Sequence, residues 1–196
     1  MTIFQKILDN PQAIIAFCAL LVSIISIILT ILTLKEQKRH NLKSVRPIGR
    51  ITVGDYENDI YVSILNNGIG PLIIKSFKAK NSKISSTTGL IDIVPTDINN
   101  NVIWTDFASN FDNRAIKAGE RLYLLRLTFE EKADQQQENI KTRLRNFLKD
   151  LTVELQYTDI YEKRTYTIER KLDWFGRHLE ANAHRQKRST QAAKST

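Results

Sequence analysis

The stretch AIIAFCALLVSIISIILTILTL, residues 13–34, decides the architecture. It runs 22 residues without a charged side chain or a carboxamide. As a helix it would be about 33 Å long, close to the roughly 30 Å of a bilayer's hydrocarbon core. A soluble core helix of this length would carry a polar face, and this segment has none. It predicts a transmembrane helix. Asn10-Pro11 supplies a start signal, with Asn as N-cap and Pro at the first helical position, where a missing N–H costs nothing. The apolar run exceeds a usual leader core and passes straight into LKEQKRH with no small-x-small cleavage site, so an anchor is expected rather than a removed signal.

Basic residues set the expected orientation. Before the span stands Lys6, offset by Asp9, and after it come Lys35, Lys38, Arg39, Lys43, Arg46 and Arg50 against Glu36 alone. The expectation is a short N-terminus outside and a cytoplasmic C-terminal body. The sole cysteine, Cys18, lies inside the span, so no internal disulfide is available. The formal net charge of +8 is uneven. Residues 35–50 carry +5 and residues 170–196 carry +5, while the body between them carries −2. Lys35, Lys38, Arg39, Lys43 and Arg46 are therefore expected against anionic headgroups, each basic residue contributing about 1 kcal/mol near such a surface. Nucleic acid is the other partner for a basic tail, but Trp174 and Phe175 are the only aromatics in the basic segments available for stacking.

Within the span, Ala16, Ala19, Ser23, Ser26, Thr30 and Thr33 recur in steps of three and four, with Gln12 and Gln37 extending the line by four at each end. This is a heptad pattern written in small and hydroxyl residues. Lipid gives helices no hydrophobic reason to pair, whereas small residues let backbones approach and interhelical hydroxyl bonds add about 0.6 kcal/mol each. The stripe predicts self-association, either close-packed or as a ring whose hydroxyls line a water path. A plainer reading has each Ser or Thr bonded to its own i−4 carbonyl and facing lipid. The segment TIFQKILD, within residues 1–10, suits a short interfacial helix.

The remainder reads as mostly β. KEQKRHNLKS continues the helix until Pro47 stops it, giving a basic juxtamembrane helix over 35–47. RITVGDY and DIYVSIL form a hairpin around Glu57-Asn58-Asp59. NNGIGP is a dense turn signal. LIIKSFKAK is a strand with Ile73, Lys75, Phe77 and Ala79 toward one side. GLIDIV and NVIWTDF are further strand candidates, and a strand is expected over Arg121–Phe129. EEKADQQQENIKTRLRNFLKD places Ile140, Leu144, Phe147, Leu148 and Leu151 at helical spacing. LTVELQYTDIYEKRTYTIER closes as a hairpin around Glu162-Lys163. About eight short strands predict an immunoglobulin-like β-sandwich over 48–172 with one inserted helix, followed by a basic helix and tail over 173–196.

RHNLKSVRPIG after a span, then YVSILNNGIGPLIIKSF, resembles a common type of small bacterial inner-membrane protein, with one N-terminal span and a cytosolic β-sandwich bearing Asn-x-Gly-x-Gly-Pro. The likeness covers about residues 13–80, and the Tyr157–Tyr161 hairpin fits it. It implies architecture and an inner-membrane location. The Gly68, Gly70 and Pro71 run reads as turn chemistry, with the glycines for positive φ and the proline to fix the exit. A single span, a cytosolic body and the Arg-x6-His pattern Arg177…His184 also resemble the membrane accessory protein of type VI-B CRISPR systems. That likeness implies a ring-shaped membrane pore assisting an RNA-guided RNase in antiviral defence, with Arg177 and His184 as a divergent trace of an RNase motif.

The sequence offers little catalytic chemistry. No Cys/His cluster has zinc spacing, no Gly-rich phosphate loop opens a helix, and no serine sits in an elbow motif. No metal or cofactor is expected. Asp106, Asp112 and Asp159 stand in expected loops with nothing to pair them. The expected function is therefore non-enzymatic: a single-pass membrane protein that self-assembles through its span, in the extreme as a pore. The alternatives are a monomeric anchored module that recruits a cytosolic protein, and an RNase-like protein using the basic tail.

Overall fold

The computed structural model describes residues 11–129 and 135–177. The chain divides between Ser44 and Val45 into two compact units. The interfacial segment expected over 1–10 and most of the basic tail lie outside the described residues.

The first unit contributes one helix, α1, Pro11–Ser44, of 34 residues with none buried. Its apolar stretch has a mean hydropathy of 3.0 and is long enough to cross a membrane. The helix continues unbroken past Leu34 through Lys35–Ser44. It ends before Pro47, whose ring disfavours helical angles at Arg46.

The second unit is mainly β. Nine strands are described: β1 Gly49–Asp55, β2 Asp59–Asn66, β3 Leu72–Lys80, β4 Ser85–Ser86, β5 Asp106–Phe107, β6 Ala115–Ile116, β7 Arg121–Thr128, β8 Thr152–Thr158 and β9 Thr165–Lys171. Every pairing is antiparallel, in two sheets of order β1-β2-β7-β5 and β4-β3-β8-β9, with β6 also on β3. Two short hairpin turns fix the registers at both ends of the sequence pattern, Gly49 opposite Asn66 in one and Thr152 opposite Lys171 in the other. The inward side chains of both sheets form one core, including Ile60, Val62 and Ile64 of β2, Leu124, Leu125 and Leu127 of β7, and Val153, Leu155 and Tyr157 of β8. Helix α2, Thr96–Asn99, and helix α3, Gln135–Leu148, lie between strands, and α3 buries Ile140, Leu144 and Leu148 on one face.

Several sequence expectations change. In β3 the core-facing residues are Leu72, Ile74, Phe77 and Ala79, while Ile73 and Lys75 are half-exposed. The pairing with β8 shifts register between Ile74 and Ser76. The extra residue flips the side-chain parity, so strict alternation gives the right faces only after the bulge. GLIDIV is no strand: Ile91–Ile93 form a 3-10 turn. NVIWTDF yields only the two residues of β5. After Leu172 the described chain makes a 3-10 turn, Asp173–Gly176, where a helix was expected.

Candidate functional site

On α1, Ala16, Ala19, Ser23, Ser26, Thr30 and Thr33 are all exposed. At 100° per residue they fall within an arc of about 100°, and Gln12 and Gln37 share it. The hydroxyls already have acceptors in the helix. Ser23 Oγ donates to the Ala19 carbonyl at 2.8 Å, Ser26 to Val22 at 2.8 Å, Thr30 to Ser26 at 2.7 Å and Thr33 to Leu29 at 2.8 Å. Each oxygen retains a lone pair for an incoming donor. What the stripe presents is thus small size and weak acceptors rather than free donors.

The chain enters the second unit through Val45–Ile48, and the NNGIGP motif holds this strap. Asn66, fully buried at the end of β2, is the hub. Its Oδ1 accepts the N–H of Ile48 at 3.3 Å and of Gly68 at 3.0 Å, and its Nδ2 donates to the carbonyls of Gly70 at 2.8 Å, Ile116 at 3.1 Å and Lys117 at 3.2 Å. A Cβ at Gly68 would stand 2.4 Å from the Arg46 carbonyl oxygen, and one at Gly70 1.8 Å from that of Val45. Neither glycine has a positive φ. Both are required for close approach of the strap, not for a left-handed turn. Arg46 lies over the Tyr166 ring at 5.1 Å, and Tyr166 stacks on Tyr157, whose hydroxyl accepts the Gly49 N–H at 3.0 Å.

A buried ion cluster sits at the other end of β1. The Asp55 carboxylate is fully buried. Arg145 of α3 grips it with Nη2 at 2.8 Å and Nε at 3.1 Å. Arg177 approaches it at 3.3 Å and donates to the Asp55 carbonyl at 3.2 Å. The Arg177 guanidinium also covers the Trp174 ring at 3.2 Å, while Phe175 is fully buried. Burial lowers the Arg177 pKa; Asp55 opposes the shift and Arg145 adds to it. Lys141, one turn before Arg145, is buried and donates to the Glu57 carbonyl of the β1–β2 turn. Nearby, Arg126 pairs with Asp59 at 3.1 Å, and that bond raises its pKa.

Between the free edges of β1 and β9 lies an open groove of about 370 Å³ lined by Gly49, Arg50, Ile51, Ile168, Glu169 and Arg170. Arg170 Nη1 crosses it to the Ile51 carbonyl at 2.7 Å.

The sequence-derived site residues thus separate. The stripe residues share one face of α1. Of the five expected headgroup residues, Lys35, Lys38, Arg39 and Lys43 are on α1 and exposed, and Arg46 is stacked on Tyr166. Arg177 is built into the Asp55 cluster, and His184 lies outside the described residues. Asp159 is buried and accepts the Tyr161 N–H at 2.9 Å. Among the described residues no group of three His, Cys, Asp or Glu side chains is placed to hold a metal ion. Sequence reading missed the Asn66 hub and the Asp55 cluster. Asn66 had a signal, since a carboxamide closing a strand before a Gly-x-Gly turn invites a capping role. The Asp55 cluster had none, Arg145 lying 90 residues and Arg177 122 residues along the chain from Asp55.

Comparison with known protein families found no matching family model, and comparison with curated proteins found no match.

Proposed function

We propose that this protein is a non-enzymatic single-pass membrane protein of the bacterial inner membrane, with a cytoplasmic immunoglobulin-like β-sandwich, and that it assembles with copies of itself through its span. The observation that carries the reading is α1: 34 residues, none buried, with six of the eight small residues of its apolar stretch on one arc and only Ala13 and Cys18 off it. The strand order supports the sandwich assignment. Sheet β1-β2-β7-β5 corresponds to an A-B-E-D arrangement and β4-β3-β8-β9 to C′-C-F-G, with α3 inserted between E and F. A lipid environment and a small-residue seam together favour close helix packing. A ring around a water path, a depolarising pore in antiviral defence, is the furthest extension of this proposal.

Native mass measurement of the full chain in mild detergent tests it. An oligomer is expected, and Ser23, Ser26 and Thr30 replaced together by Leu should reduce its size. A monomer for the wild type ends the self-assembly reading. Ion flux from liposomes tests the pore form separately.

One observation favours a second reading, a monomeric anchored module that recruits a cytosolic protein. The four stripe hydroxyls are already bonded within α1, so they need no partner helix. A nucleic-acid-directed RNase is a weaker proposal, because the Arg177 guanidinium is committed to Asp55 and Trp174. RNA cleavage by the wild type that is lost in His184→Ala would revive it.

A further inference from the structure

We infer that the end of the β body where the chain enters is a second membrane-contact surface, which docks on an anionic bilayer through apolar loop tips. The inference rests on the membrane reading of α1. Three loops meet at this end: the strap, the β2–β3 loop and the β8–β9 turn. Asn67 N–H bonds to the Ile48 carbonyl at 2.8 Å, joining the first two, and Thr158 pairs with Ile73 at the base of the third. Each loop presents a large apolar side chain to solvent. Ile48 is 51% exposed, Ile69 79%, Ile160 47% and Tyr161 45%. Such tips cost solvation unless something apolar receives them.

Charge names the receiver. Exposed Arg46, Lys117, Lys163 and Arg164 border the tips. Of the acidic neighbours, Glu162 is paired with Lys75 at 2.9 Å, which leaves Glu120 and Asp159 against the four basic residues. An apolar centre with a basic rim is the composition of an interfacial lipid-binding surface. The opposite end of the body also has exposed apolar residues, Tyr56, Ile103 and Phe107, but Glu57 and Asp106 stand beside them. The polypeptide itself arrives at the basic end from the apolar helix.

The test uses the full chain in phosphatidylcholine–phosphatidylglycerol vesicles, with Cys18→Ser and single cysteines carrying an environment-sensitive fluorophore. Nitroxide-labelled lipids should quench probes at Ile69→Cys and Ile160→Cys, and leave a probe at Ile103→Cys unquenched. Phe17→Cys reports the span independently. Quenching at position 17 with none at 69 and 160 overturns the inference and leaves the membrane reading intact. No quenching at 17 overturns both. A probe at 69 that is shielded from water yet untouched by nitroxide lipid is covered by protein, a second copy or another partner, and that result also overturns it.

Discussion

At the scale of single residues, Asn66 and the two glycines that follow it explain why NNGIGP reads so strongly as punctuation. The carboxamide accepts from the N–H groups of Ile48 and Gly68 and donates to the carbonyls of Gly70, Ile116 and Lys117, the last of which also accepts the Glu120 N–H. Each orphaned buried polar group costs about 1–3 kcal/mol. Asn66→Ala should therefore lower stability by about 3 kcal/mol or more, allowing for local water entry, and chemical denaturation followed by tryptophan fluorescence measures it. Gly70→Ala isolates the steric part. Its methyl would meet the Val45 carbonyl oxygen at 1.8 Å, and backbone cannot yield as a side-chain tip does. A loss of about 1–3 kcal/mol is expected, as for other overpacked sites. Unchanged stability in Gly70→Ala would mean that the strap is held loosely. The sequence showed the turn here but assigned both glycines to backbone angle, because close approach by a distant segment leaves no trace in local composition.

At the scale of elements, α3 and the Asp173–Gly176 turn are tied to β1 by charge. Asp55 is fully buried, Arg145 13% exposed and Arg177 32% exposed at the side chain. Removing one member of a buried pair leaves an uncompensated charge, at about 3–5 kcal/mol, whereas a partly exposed ion pair contributes about 1 kcal/mol or less. Asp55→Ala should be the more damaging, since it also leaves two guanidiniums facing each other. Arg177→Ala should be mild. Thermal unfolding of the two variants in the same detergent checks the ranking, and equal losses would show that Arg177 is as essential to the clamp as the carboxylate. The amphipathic pattern of α3 was legible from Ile140, Leu144 and Leu148, because helical periodicity is local. Nothing local marked Lys141 and Arg145 as buried partners, because their acceptors lie in the β1–β2 hairpin, far away in the chain. The same limit explains β3: its β-branched and aromatic content announced a strand, but a bulge at Lys75 depends on the partner β8 and is invisible to alternation.

At the scale of the whole molecule, a long apolar helix ahead of a mainly β body was the plainest feature of the sequence, and two antiparallel sheets followed from the spacing of turns. The stripe on α1 makes a prediction of its own. In a Cys18→Ser background, Ser23→Cys and Thr30→Cys should form disulfide-linked dimers in membranes under mild oxidation. Ile28→Cys, about 170° from the stripe's midline by helical geometry, should not. Equal cross-linking at all three positions would indicate random collision, and none at any would indicate a lone span.

The Arg170 guanidinium, resting on a β1 carbonyl across the gap between the two sheets, has a consequence for how the molecule tolerates crowding. Uncovered strand borders are templates on which foreign chains can lengthen a sheet, and a charged group laid across them is one way of refusing such additions. Should copies gather in a membrane as proposed, this one bond works against edge-to-edge joining of their bodies and leaves the pairing to their spans.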